Sequence, residues 1–278
     1  MRIRPWLFGF IPLLLHSADA LAWGLATHIY FSQLLLWAVP LLEPRFRDAA
    51  KRFPQLVLAG SCLPDLALMG RSAGTEAFAV THHWEQSAQM LARADCPERR
   101  ALALGFASHL FVDIVAHNHF VPAHERMWLK LPIVTHASSE WVMDAHIVPH
   151  LYAMPQTLIQ DHHALLAQYA AAEFNCTQAT AERTLTYLQR GTSWLYGSRL
   201  HQMLYAGAQR LDRRLLRRLD HYVVETSARL PQINRLLHGD ASPNWKADYP
   251  CSERIQHLQD LSLDELSGHL PLPASLFA

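Results

Sequence analysis

The sequence predicts an all-α fold, a single bundle of many helices, and three observations predict it. Apolar residues recur at helical spacing over long stretches, strand-like alternation is scarce, and prolines stand where helices should start or stop. With 278 residues, half of them hydrophobic, the chain is long enough to bury one large core.

The helical spacing covers residues 23–42, 101–118, 136–152 and 158–174, and continues over 181–189, 200–219 and 221–237. Pro40, Pro54, Pro64, Pro122, Pro132 and Pro231 punctuate these stretches. No internal repeat is visible. Past Gly239 Ser, Pro and Asp become frequent, and residues 270–278 read as a loosely held tail. The expected division is a helical domain over 23–240 and a C-terminal extension over 241–278.

Residues 1–22 read as a cleavable export signal. Arg2 and Arg4 give a positive start, residues 5–15 a short apolar run, and Ala20-Leu21-Ala22 small residues at the two positions that a signal peptidase reads. The run is too short to span a bilayer, and no later segment is an uninterrupted apolar stretch of spanning length. The mature chain is therefore expected to begin at Trp23, in the periplasm or outside the cell. Cleavage removes Arg2, Arg4 and Asp19, leaving 22 basic and 23 acidic residues. Such a balance gives no general attraction to nucleic acid, and no stable nucleic-acid partner is expected. Cys62, Cys96, Cys176 and Cys251 are scattered and form no CxxC, so they do not read as metal ligands. In an oxidising compartment they could form up to two disulfides.

Histidine stands out at 18 residues, and the histidines are dispersed through apolar helical stretches rather than gathered in a low-complexity tract. The densest signal is His109-x-x-x-Asp113-x-x-x-His117. Residues four apart on a helix lie on one face, so these three form a polar ladder on an otherwise apolar helix. Burying a carboxylate there is costly unless a charge or a metal compensates it. A second ladder, His136-x-x-x-Glu140, follows. Imidazole and carboxylate are ligands that zinc takes, and an i,i+4 pair can place both on one ion. Two further pieces lie upstream: Ala59-Gly60-Ser61-Cys62-Leu63-Pro64-Asp65, which leaves Asp65 at a loop or helix start, and His82-His83-Trp84 in a loop. Taken singly, Asp65 reads equally as a helix cap. The last piece is Trp23 with His28: a free α-amine, of pKa near 8, can chelate a metal together with the Trp23 carbonyl.

This ordered set resembles the zinc-dependent phospholipase C family, which shares its fold with fungal single-strand-specific nucleases and with the N-terminal domain of glycosylphosphatidylinositol-specific phospholipase D. The carrying residues are Trp23 with His28, Ala59 to Asp65, His83-Trp84, His109 with Asp113, and His136 with Glu140, spread over residues 23 to about 150. The resemblance implies a multi-helix bundle of the phospholipase C and zinc nuclease type that holds two to three zinc ions. Asp65, His83, His109 and Asp113 would hold the first. Trp23, through amine and carbonyl, and His28 would hold the second, with Asp113 bridging the pair. His117, His136 and Glu140 would hold the third.

Relatives differ in placing the third-site histidine six or four residues after the bridging aspartate, at His119 or His117 here. Those with the longer spacing break the helix with a proline before that histidine, whereas this chain has none until Pro122. On an unbroken helix His119 points roughly 160° from His117, and His117 is taken. His83 is likewise taken over His82.

Three divalent ions at one cleft suit a phosphodiester anion, and a hydroxide between the paired zincs, or a water oriented by Asp65, would attack it. The resemblance thus implies a hydrolase acting on phospholipid at a membrane surface. A nuclease or phosphatase on the same scaffold, or a non-catalytic metal- or lipid-binding relative, are the competing readings. The bacillary enzymes hold choline with a carboxylate and a tyrosine at positions that are Ala26 and Leu66 here, so the headgroup stays open. Arg210, Arg213, Arg214, Arg217 and Arg218 fall on one face of the helix expected over 200–219, opposite Leu211, Leu215, Leu216 and Leu219. Such a stripe is either a solvated bundle face or a docking face for anionic lipid.

Overall fold

A computed structural model describes residues 24–128, 132–239, 258, 261–268 and 272–277. The expected signal segment, Trp23, Cys251 and most of 241–278 lie outside them. Among the described residues the chain is all helix and turn, with no strand. Helices α1 (Leu25–Trp37), α2 (Pro44–Arg52) and α3 (Pro54–Gly60) lead to the short α4 (Leu66–Gly70). Then come α5 (Trp84–Arg93), α6 (Pro97–Val115), α7 (Val121–Met127) and α8 (Pro132–Ile147). The remainder are α9 (Pro155–Asp161), α10 (His163–Glu173), α11 (Gln178–Gly197), α12 (Leu200–Leu211), α13 (Leu215–Arg229), α14 (Ile233–Leu237) and α15 (Leu263–Ser267). Proline opens α2, α3, α6, α8 and α9, where its missing N–H costs nothing and its fixed φ suits a first turn.

The bundle is built around α6. From Ala101 to Val115 every residue is buried, which is why this helix shows no polar face. Helices α1, α2, α3 and α5 pack on it, while α12 lies along α8 and α10 along α11. The crossing of α3 and α6 is unusually close. A Cβ at Gly105 would stand 1.9 Å from the Val57 carbonyl oxygen, and one at Gly60 2.3 Å from that of Leu102. Both obstacles are backbone and cannot rotate away. Gly105→Ala is therefore expected to cost about 3 kcal/mol of stability or more, read as a lowered thermal midpoint. An unchanged midpoint would show that the two helices do not cross this tightly.

Helical structure continues past Val115 through a π-turn, Ala116–Phe120, into α7. The Val121 N–H bonds back to the Ala116 carbonyl, five residues away. Pro122 has no N–H to give and its ring would strike the carbonyl of a regular preceding turn, so the wider turn relieves it. The continuous rod of 31 residues, Pro97–Met127, is long and apolar enough to cross a membrane by length and composition, but its apolar stretch from Ala101 to His124 is buried inside the bundle.

Two expectations change. The single helix over 200–219 is broken at Asp212–Arg214, so α12 and α13 meet at a corner. Residues 272–277 are not a loose tail: Leu272, Leu276 and Phe277 are buried in the main core, and Phe277 packs on Phe111 with ring centroids 5.1 Å apart. Arg229 and Arg235 donate to the Leu272 and Phe277 carbonyls, which ties the segment down.

Candidate metal centre

Four stretches of chain bring their chemistry to one buried point, the Asp113 carboxylate on α6. His28 comes from the first turns of α1, with Nε2 3.3 Å from Asp113 Oδ1. His109 and His117 stand one turn before and one turn after Asp113, with Nε2 at 3.2 Å from Oδ2 and 3.6 Å from Oδ1. The turn between α3 and α4 delivers Asp65, whose Oδ1 lies 3.7 Å from His109 Nε2. His82 arrives from the turn before α5, with Nε2 3.6 Å from Asp113 Oδ2. Two ligands of one tetrahedral zinc, each at about 2.0–2.1 Å, stand about 3.3 Å apart, so these separations match donors sharing an ion. Two sets of three, His28/His109/Asp113 and Asp65/His82/His109, keep all their ligand atoms within 4.8 Å.

The ring orientations explain which nitrogen faces the cluster. His109 Nδ1 donates to the Ser61 carbonyl at 2.8 Å, and that turn is within reach only because α3 and α6 cross at two glycines. Nε2 of His109 is then the lone-pair nitrogen. Thr81 works the same way on His82. Its hydroxyl donates to the Pro64 carbonyl at 2.7 Å, so it accepts from His82 Nδ1 at 3.2 Å and leaves Nε2 aimed at Asp113. His28 stacks flat on His109, ring centroids 3.5 Å apart and planes within 7°. Buried, with no hydrogen bond to Asp65 Oδ1, His82 Nε2 or His109 Nε2, the cluster is a set of donors that fits a divalent ion.

A second group sits one turn along. His117 lies 5.9 Å from His136, ring to ring, and His136 Nε2 lies 2.9 Å from Glu140 Oε1 on α8. His119 points elsewhere, its Nδ1 at 2.8 Å from the Tyr222 hydroxyl. The helix does not break before Asn118, and the π-turn leaves His117 on the ladder face.

Of the expected ligands, His28, Asp65, His109, Asp113, His117, His136 and Glu140 are brought to these two groups, and Trp23 lies outside the described residues. His83 is a correction. It is exposed, at an extended residue ahead of α5, while the Thr81 anchor turns its neighbour His82 inward. His82→Ala is expected to lose about one zinc equivalent, and His83→Ala to keep the full complement, by metal analysis of the purified proteins. Equal zinc content in the two variants would contradict this placement.

Residue-level reading also missed Asp144, although it stands four residues past Glu140 on the same ladder. Its Oδ1 accepts from the Thr27 N–H at 2.9 Å and the Thr27 hydroxyl at 2.8 Å, and its Oδ2 from the Tyr196 hydroxyl at 2.6 Å. Tyr196 in turn accepts from the Ala26 N–H at 3.2 Å. This clamp holds the first turn of α1, and with it His28. Glu125 on α7 was missed as well; its Oε1 lies 3.6 Å from His136 Nδ1.

The chain from 27 to 202 matches the family model described as zinc-dependent phospholipase C. The chain belongs to the zinc-dependent phospholipase C family. That span contains every residue of the cluster as well as Asp144 and Tyr196. Neither the search of curated proteins nor that of solved structures returned a match.

Burial sets the protonation of the family site in the metal-free chain. Desolvation pushes Asp65 up to about 7 against the opposing pull of His109, and pushes Glu140 up to about 7 against that of His136. It also holds His82 down to about 3 and keeps His109 and His117 below the usual imidazole range. The imidazoles are thus neutral and ready to ligate, while near pH 6 the two acids hold protons that a metal must displace. Raised carboxylate values mean that metal affinity rises with pH up to about 7. Zinc binding at pH 6 is expected to release more protons than at pH 8, by an amount approaching two. Calorimetry in buffers of different ionisation enthalpy measures this, and equal release at both values would contradict it.

Proposed function

We propose that this family member is an exported phosphodiesterase that hydrolyses phospholipids with a trinuclear zinc centre. The observation that carries the reading is the convergence of four imidazole Nε2 atoms on the one buried carboxylate of Asp113, within 3.2–3.6 Å. Asp65, His82, His109 and Asp113 would hold one ion. Asp113, His28 and the Trp23 amine and carbonyl would hold a second, and His117, His136 and Glu140 a third. Bound there, zinc supplies positive charge for the phosphodiester oxygens and lowers the pKa of water.

The chain's own residues do the rest. Asp65 would ligate through Oδ1, which faces His109 Nε2 at 3.7 Å, leaving its other carboxylate oxygen to orient the attacking water and take its proton. Ser61, Thr81 and Asp144 lock His109, His82 and α1 in place, so the donors need no rearrangement. Attack at phosphorus then releases diacylglycerol and a phosphorylated headgroup. Stacking platforms of the kind a nuclease uses are not offered by the neighbouring tryptophans. Trp84 and Trp128 are partly buried against the core, and Trp128 Nε1 donates to Asp212.

The test is to offer purified mature protein mixed phospholipids, single-stranded DNA and a chromogenic phosphodiester, each with and without chelator. Phospholipid cleavage that chelator abolishes is expected. Preferential DNA cleavage would move the chain to the nuclease reading, and no cleavage at all to the binding-protein reading.

A further inference from the structure

The corner between α12 and α13 is unlike the rest of the surface. Residues 200–219 hold five arginines against one acidic residue, Asp212. Arg218 is not on the surface stripe expected for it: it is 2% exposed and spends its charge inside, with Nη2 on Asp212 and Nε donating to His124 Nε2 at 3.1 Å. The other four, Arg210, Arg213, Arg214 and Arg217, are exposed; Asp212 is engaged by Arg218, and Asp220, next along α13, by His146. Only two of the four leucines expected opposite them, Leu215 and Leu219, are buried. Because the helix breaks at 212–214, Leu211 is 90% exposed and Leu216 44% exposed among these same arginines.

We infer that this corner docks the protein on a negatively charged phospholipid bilayer. The inference rests on the phospholipase reading for its purpose, though not for its geometry. Guanidinium groups at headgroup depth are attracted by anionic lipid and bury their aliphatic stems at the boundary. Two protruding leucines can enter the acyl region, whereas a nucleic acid offers no such surface to them.

The corner is also rigidly joined to the site. Trp128, just past α7, donates from Nε1 to Asp212 at 3.3 Å and packs edge-on to His124, ring centroids 4.8 Å apart. One residue from His124, Glu125 lies 3.6 Å from His136 of the second group of donors. A bilayer meeting Leu211 and Leu216 therefore meets the end of the bundle that carries His136.

The experiment is sedimentation of zinc-loaded mature protein with vesicles of phosphatidylcholine alone or with about a third phosphatidylglycerol. Partition onto the anionic vesicles is expected to exceed that onto neutral ones, and to fall by roughly a hundredfold in R210Q/R213Q/R217Q. Leu211→Ser should weaken binding to the same vesicles several-fold. Turnover of a soluble chromogenic phosphodiester and the thermal midpoint should not change in either variant. Undiminished vesicle binding in both variants overturns the inference, as does loss of binding only to single-stranded DNA. A protein that hydrolyses no phospholipid but still binds vesicles through this corner would sink the functional reading and leave the docking surface standing.

Discussion

Asp113→Asn is expected to remove two zinc ions together and to lower phospholipid hydrolysis at least about a thousandfold. The amide has the size of the carboxylate, so packing around α6 is preserved. What is lost is the one negative charge shared by His28, His82, His109 and His117, whose Nε2 atoms stand 3.2–3.6 Å from it. A neutral amide is also easier to bury than a carboxylate. The metal-free variant should thus be at least as stable as the metal-free parent, a result that a purely structural role for Asp113 does not give. Full zinc content in the variant would refute the bridging role.

The second large effect is expected at the N-terminus, where the proposed signal cleavage would link export to catalysis. Gly24 is boxed in by the clamp: a Cβ there would stand 2.1 Å from Asp144 Oδ2. The chain is therefore held one residue after Trp23, and α1 carries His28 into the cluster from the same turn. A free α-amine at Trp23 exists only after cleavage at Ala22. Protein made in the cytoplasm with an extra Met before Trp23 is expected to lack one ion and to lose at least about a hundredfold in activity. Removing that Met with a protease that leaves no scar should restore both. In the restored protein this ion should bind more weakly as pH falls below about 8, because the amine is then protonated. Equal zinc and activity in precursor, Met-extended and Trp23-terminated forms would rule out the terminal amine as a ligand.

Much of this was legible in the sequence because helices print their geometry locally. The 109/113/117 and 136/140 ladders follow from a rise and a turn per residue, and the structure joins both. The same argument sets His117 and His119 on different faces, and the π-turn keeps them so, with His117 beside Asp113 and His119 on Tyr222. Which of His82 and His83 turns inward could not be told, because it is set by Thr81 reaching Pro64, 17 residues earlier and across α4. Asp144 was within reach of the ladder rule, but its partners Thr27 and Tyr196 lie 117 and 52 residues away and no local pattern announces them. The arginine stripe was misread for a related reason. Asp212 ends α12 through contacts with Trp128 and Arg218, and this tertiary event turns a continuous helical pattern into a corner.

The central claim is that Asp113 and the histidines around it form a zinc centre. Diffraction from zinc-loaded crystals, recorded on both sides of the zinc absorption edge, tests it directly. The account predicts anomalous peaks beside both oxygens of Asp113, one of them in contact with His82 Nε2, and a further peak among His117, His136 and Glu140. Absence of a peak at Asp113, with zinc found elsewhere on the molecule, would contradict it.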